Sequence, residues 1–211
     1  MTIADEADWD KGGGLLPAVV QDADRGTVLM LGYMNRDALA QTEHTGRVTF
    51  WSRSKGRLWT KGETSGHSLE LVAIALDCDR DTLLVLARPQ GPVCHRNTPT
   101  CFGESPPRTA AERIGFLPAL ERLIDARLST RPEGSYTARL AAAGPLRIAQ
   151  KVGEEGLELA LAAAAEGDAK VLEEAADLFY HALVLLRSRG LRLEDVVAVL
   201  EARHARVRGT D

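Results

Sequence analysis

The chain has 211 residues, enough for one large domain or two small ones. Hydrophobic residues make up 45% and charged residues 27%, an ordinary balance for a chain with a buried core, and the formal net charge is −4. Acids outnumber bases in both halves, which removes the basic excess that binding a nucleic-acid backbone requires. The apolar runs at 69–76 and 178–186 are broken by Glu70 and His181 and fall far short of the roughly 18–20 residues of a membrane span. The start, MTIADEADWD, is acidic and has no secretory pattern. Three cysteines are an odd count, so no full disulfide framework is expected, and the chain reads as cytoplasmic with reduced thiols.

In chain order, residues 17–21 and 27–34 read as strands flanking the turn signal Asp22-Ala23-Asp24-Arg25-Gly26. Asn35 is placed to cap a helix over 36–43, closed by Gly46. Further strands are expected at 47–54, 58–61, 69–77 and 82–87, which are rich in Val, Leu and aromatics. Residues 88–103 hold Pro89, Gly91, Pro92 and Pro99 and form a loop. Residues 105–115 read as a linker, stopped by Pro106-Pro107. Beyond it Ala, Leu, Glu and Arg dominate, and helices are expected at 116–129, 146–166, 169–189 and 193–207. The last lacks a Ser or Thr cap at Arg192, which predicts fraying at its start. The fold class is therefore two domains: a strand-rich α+β domain over 1–104 and an all-α bundle over 116–211.

Chemistry concentrates in two clusters. In the first half, thiols fall at Cys78, Cys94 and Cys101, and His95 adjoins Cys94. Three soft ligands suit zinc and leave a fourth position for water, whose acidity the metal raises. Three buried cysteines, or a structural zinc closed by His67 or His95, are equally compatible with the spacing alone. Asp77, Asp79 and Asp81 alternate at a strand end; an extended chain puts them on one face, where a cation makes three like charges tolerable, and turns Cys78 to the other. Upstream, FWSRSKGRLWTKGETSGH sets Arg53, Lys55, Arg57 and Lys61 among aromatics and small residues, a composition suited to a phosphate-bearing ligand. His67 and His95 are candidates for proton transfer.

FWSRSKGRLWTKGETSGH, DCDRD and GPVCHRNTPTCFG together closely resemble the phosphoribosyl-AMP cyclohydrolases over residues 14–104. The resemblance implies a dimer in which each zinc is held by cysteines drawn from both subunits. Cys78, Cys94 and Cys101 would be the zinc ligands here, and Asp77, Asp79 and Asp81 would bind Mg²⁺. The family reaction hydrolyses the N1–C6 bond of an adenine ring alkylated at N1. That ring is electron-poor, and a metal-activated water suits attack at C6. Arg96-Asn97 departs from the expected Thr-Gly between two of the cysteines, a change that bears on loop shape and leaves the ligands in place.

In the second half, Glu154, Glu155 and Glu158 share faces at i,i+3 and i,i+4 spacing, and Glu174 and Asp177 are i,i+3 on the next helix. The two helices are joined at Gly167-Asp168 and are expected to be antiparallel neighbours, so the carboxylates converge and call for divalent cations, best Mg²⁺. Lys151 and Arg147, one and two turns before Glu155, are candidates for phosphate oxygens. Gly134–Thr137 is expected in a loop against the substrate, or, for Tyr136, in ordinary packing. Glu-Glu-x-x-Glu…Glu-x-x-Asp is similar to the all-α MazG-type pyrophosphohydrolases. KVGEEGLELALAAA…EEAADLFYHALVLL narrows this to a resemblance to phosphoribosyl-ATP pyrophosphohydrolase over residues 116–205.

The two resemblances imply a bifunctional hydrolase of histidine biosynthesis. Such an enzyme would take small-molecule phosphoribosyl adenine nucleotides as substrates and use zinc and magnesium, and the charge balance and short apolar runs predict no nucleic-acid or membrane partner. The alternative is a nucleotide-pool triphosphate pyrophosphatase carrying a structural zinc module.

Overall fold

The computed structural model describes residues 2–103 and 110–208. The chain forms two compact units, residues 1–116 and 117–211. The double proline of the expected linker lies outside the described residues, but the rest of that stretch includes a short helix, α3 (Ala110–Ile114).

The first unit is built on a four-stranded sheet of order β2-β1-β6-β5, comprising β1 (Leu16–Asp22), β2 (Val28–Met34), β5 (Leu69–Leu76) and β6 (Leu83–Pro89). A short helix, α1 (Ile3–Glu6), precedes it. Adjacent pairs are antiparallel except β1 and β6, which run parallel. Alternation on the central strands decides the core face: Leu16, Ala18 and Val20 on β1 and Leu83, Val85 and Ala87 on β6 are all buried. Helix α2 (Arg36–Thr45) contributes Ala38, Leu39 and Thr42 to the buried set. Its ends follow the sequence signals: Asn35 accepts from the Ala38 amide at 2.8 Å, and Gly46 closes it in the left-handed region.

The stretch expected as strands at 47–54 and 58–61 forms a separate hairpin, β3 (Thr49–Ser52) and β4 (Arg57–Thr60). Phe50 of β3 is 1% exposed and stacks on Trp59 of β4 at 5.6 Å. Gly32 of β2 faces this pair, and a Cβ there would fall 2.4 Å from the Phe50 ring. Gly32→Ala therefore displaces Phe50 and with it Trp59. Overpacking of this kind is expected to cost about 1–3 kcal/mol, measured by urea denaturation; an unchanged midpoint would refute the contact.

The second unit holds α4 (Phe116–Thr130), α5 (Tyr136–Ala142), α6 (Pro145–Ala165), α7 (Asp168–Ser188) and α8 (Leu193–Arg208). Ile124, Leu140, Ile148, Leu183 and Val184 form its core, one from α4, one from α5, one from α6 and two from α7. Pro145 opens α6 at the position where its missing N–H costs nothing. The expected loop at Gly134–Thr137 is instead a helix start, with Ser135 accepting from the Ala138 amide at 3.2 Å. The start of α8 is not left bare. The Asp195 carboxylate accepts from the Arg192 amide and the Glu121 carboxylate from the Leu193 amide, both at 2.7 Å. No helix among the described residues is long and apolar enough to cross a membrane.

Candidate active sites

In the first unit a cleft of about 400 Å³ opens between the hairpin and the loop after β6, with Met30, Trp59, Lys61, His67, Cys94, His95 and Cys101 among its lining residues. Tight turns bring its walls together. Gly62 has φ +89, and a Cβ there would sit 2.6 Å from the His67 backbone, so only glycine lets this segment fold over itself. The loop is anchored to β2 by the Cys101 amide, which donates to the Leu29 carbonyl at 2.8 Å. Between the cysteines, the Cys94 amide donates to Thr98 O and the Asn97 amide to Cys94 O, both at 3.0 Å. Asn97 sits at φ 64, a conformation that asparagine tolerates better than most side chains. The Arg96-Asn97 departure therefore still closes a tight turn.

Cys94 and Cys101 share a hydrogen bond, and their thiols are shifted in opposite directions. The Arg96 amide, helped by the Thr98 hydroxyl, holds Cys94 below the usual thiol range. Burial pushes Cys101 up, and the charge of Cys94 adds to it. Lys61 is 7% exposed and donates to the His67 carbonyl at 3.2 Å. Burial lowers its pKa, and the negative charge of the two cysteines acts against that. His95 Nδ1 lies 3.8 Å from Cys94 Sγ. Arg53 and Lys55 are exposed at the far end of the hairpin; Arg53 stacks over Tyr33 at 3.7 Å, and neither is in the cleft lining. Arg57 pairs with Glu63 at 2.6 Å.

Cys78 is exposed and does not join the other two thiols: among the described residues, only carboxylates form metal-sized groups of three. One such group is Asp77, Asp79 and Asp81, but not by extended alternation as expected. The strand ends at Leu76, and Arg80 at φ 65 turns the chain. Asp77 Oδ1 accepts from the Asp81 and Thr82 amides at 3.0 and 3.1 Å. Burial raises the Asp77 pKa, but these bonds outweigh it and hold the carboxyl below its usual range. Lys11, which carries no signal in its local sequence, reaches Asp79 at 2.9 Å and Asp81 at 3.6 Å.

In the second unit Glu155, Glu158 and Glu174 bring carboxylate oxygens within 4.8 Å of one another. Glu155 is 4% and Glu174 6% exposed. Burial, together with the charges of Glu155 and Glu174, raises the Glu158 pKa. Lysines one turn earlier offset the charge: Lys151 lies 2.6 Å from Glu155 and Lys170 2.5 Å from Glu174. Hydrogen bonds to Glu155 and Glu154 raise the Lys151 pKa well above its ordinary value. Glu154 turns away from the group of three and pairs with Arg147 at 3.1 Å and Lys151 at 3.0 Å. Asp177 is exposed and is not part of that group.

The expected set omitted His181, which is 4% exposed, 3.6 Å from Glu155, and bonded to Tyr136 at 2.9 Å. Its signal was positional: it stands one turn after Asp177 and two after Glu174, on their face of the helix.

Residues 30–103 match the phosphoribosyl-AMP cyclohydrolase family, and residues 117–204 match the phosphoribosyl-ATP pyrophosphohydrolase family. The chain is thus an enzyme with two hydrolase domains. The histidine biosynthesis bifunctional protein HisIE of Xanthomonas campestris pv. campestris is 59% identical over 200 residues, spanning 95% of this chain and 94% of that one. The protein of the same name from Escherichia coli K12 is 56% identical over 199 residues, 94% and 96% of the two chains. That of Vibrio vulnificus is 53% identical over 203 residues, 96% and 95%. The chain belongs to this HisIE family of bifunctional histidine-biosynthesis enzymes.

Proposed function

We propose that the enzyme carries out two consecutive hydrolyses, one in each domain. The domain over 116–211, an all-α unit of the MazG type, releases pyrophosphate from phosphoribosyl-ATP. The domain over 1–104 then opens the adenine ring of the resulting phosphoribosyl-AMP between N1 and C6. The observation that carries this reading is the opposite donor chemistry of the two sites, sulfur in one and buried oxygen in the other. A nucleotide-pool pyrophosphatase has no need of the cleft between Trp59 and Cys94.

Both sites fit their metals by donor type. Cys94 and Cys101 are soft, adjacent and one of them is acidified, which suits zinc. Glu155, Glu158 and Glu174 present hard oxygens to Mg²⁺, with Glu154 and Asp177 at the rim of that site, and the turn of Asp77, Asp79 and Asp81 offers a second oxygen site. When bound, zinc supplies Lewis acidity and an activated water at the purine, and magnesium neutralises the triphosphate and polarises its phosphorus. The chain's own groups do the rest. Trp59 and Met30 flank the base, while Lys61 and the amides around Gly62 hold phosphate oxygens. His95, with His67 also in the lining, moves the proton to the departing N1. Across the other site Lys151 and Arg147 trade carboxylate partners for phosphate oxygens.

Two thiols are one short of a catalytic cysteine set, and a second copy of the chain supplies the third from Cys78. The outer sheet face supports this. Leu31, Val19, Leu84 and Ala75 stand in one row across β2-β1-β6-β5, with Leu31 49% and Leu84 38% exposed. Cys78 follows the strand at the edge of that face. Leu84→Glu is expected to give monomers in sedimentation that lose zinc and ring opening and keep pyrophosphate release. A dimeric variant or a fully active monomer would refute the shared site.

The central test is a time course with purified protein, phosphoribosyl-ATP, Zn²⁺ and Mg²⁺. Pyrophosphate appears first, phosphoribosyl-AMP rises and falls, and the ring-opened product accumulates. Turnover of ordinary nucleoside triphosphates with phosphoribosyl-AMP left intact would instead support the pool-pyrophosphatase reading.

A further inference from the structure

His181 is a buried polar side chain that the proposed mechanism leaves without a task. Its Nδ1 lies 2.9 Å from the Asp177 carbonyl oxygen and 3.6 Å from Glu155 Oε1. A carbonyl oxygen can only accept, so Nδ1 carries a proton and donates it there. Its Nε2 shares a hydrogen bond of 2.9 Å with the Tyr136 hydroxyl. Both ring nitrogens are thus engaged, and the two contacts fix the orientation of the ring. Tyr136 and Tyr180 pack against it edge-on, with centroids 5.8 and 5.3 Å away, and Tyr180 is itself bonded to Thr137 at 2.7 Å. The imidazole is thus buried and held by two hydrogen bonds and two aromatic rings.

The consequence falls on Glu155. Lys151 and His181 both approach the same oxygen, Oε1, at 2.6 and 3.6 Å. The second contact is longer than a hydrogen bond and acts electrostatically. With Oε1 held from two sides, Oε2 is the atom left to the cation. We propose that His181 is a positioning residue for the pyrophosphohydrolase site: it fixes the Glu155 carboxylate in the orientation that binds metal, and Tyr136 fixes His181. This rests on the magnesium reading of the carboxylate group given above.

The test uses the full chain and Mn²⁺ alone as probe, read by electron paramagnetic resonance, beside the kinetics of pyrophosphate release. His181→Leu is expected to weaken Mn²⁺ binding about tenfold or more, the range seen when a group supporting a metal ligand is lost. The rate of pyrophosphate release falls with it at limiting metal. At saturating metal, KM for phosphoribosyl-ATP stays within about twofold, since no substrate contact is removed. His181→Asn, whose amide N–H takes the place of Nδ1–H, restores the affinity to within about threefold. Nitrogen NMR of the parent protein, which needs no variant, is expected to show the His181 proton on Nδ1. A folded His181→Leu with parental Mn²⁺ affinity, or a ring whose Nδ1 carries no proton, overturns the proposal while leaving the magnesium reading intact. If Glu155→Gln also binds Mn²⁺ like the parent, the magnesium reading falls, and this proposal with it.

Discussion

Cys94→Ser is expected to abolish opening of the adenine ring, by about 100-fold or more, while pyrophosphate release stays within about twofold of the parent. The substitution is nearly isosteric, so the turn closed by the Thr98 and Asn97 backbone contacts persists. What changes is the donor. The Cys94 thiol, acidified by the Arg96 amide and the Thr98 hydroxyl, is poised to ionise, whereas a serine hydroxyl stays neutral and hard. The cleft keeps Trp59, Lys61 and both histidines, so nucleotide still binds and only turnover is lost. Zinc content after dialysis and the amounts of both products decide the matter. Loss of both activities in a folded protein would mean that the two chemistries do not occupy separate sites.

Glu155→Gln is the converse. It is expected to reduce pyrophosphate release by at least about 100-fold and to leave cyclohydrolysis of supplied phosphoribosyl-AMP unchanged. Glu155 is 4% exposed, and the amide preserves its volume, so packing against α7 is retained. The charge is what disappears. Lys151 loses its 2.6 Å partner and keeps Glu154, so the local balance shifts from anionic toward cationic, where a divalent ion binds poorly. Mn²⁺ affinity and pyrophosphate-release kinetics on the same preparation check this, and a variant with parental affinity would exclude Glu155 as a ligand. The same substitution at Glu154, which turns away toward Arg147, is expected to cost far less.

That contrast shows where sequence reading reaches its limit. Glu154 and Glu155 are adjacent, so on a helix they stand about 100° apart, and both pair in spacing with Glu158. Spacing marks the face within one helix but cannot say which edge of it a neighbour will cover. The packing of α6 on α7 decides for Glu155 and Glu174 and leaves Glu154 outside. The aspartate motif makes the same point. Its three carboxylates do converge, but through a turn at Arg80 rather than a strand, because Asp77 collects the Asp81 and Thr82 amides with its own side chain.

His181 was hidden by its surroundings. Within the apolar run from Leu178 to Leu186 it reads as an interruption, and only the approach of Tyr136 from α5 and Glu155 from α6 turns it into part of a site. Lys11 and Lys61 are similar cases. Lys11 meets its aspartates across a long stretch of chain, and Lys61 was one of several basic residues in its motif until burial beside the cysteines set it apart.

By itself the sequence determined what local physics controls. The caps of α2 at Asn35 and Gly46, the strand alternation of β1 and β6, the helical periodicity beyond residue 116 and the identity of the metal-type donors all follow from a residue and its near neighbours. Only the tertiary structure decided the parallel pairing of β1 with β6, the joining of Cys94 to Cys101 but not to Cys78, and the choice among the glutamates. Those outcomes depend on contacts between segments far apart in the chain, whose closure is governed by burial of the whole core rather than by any local preference.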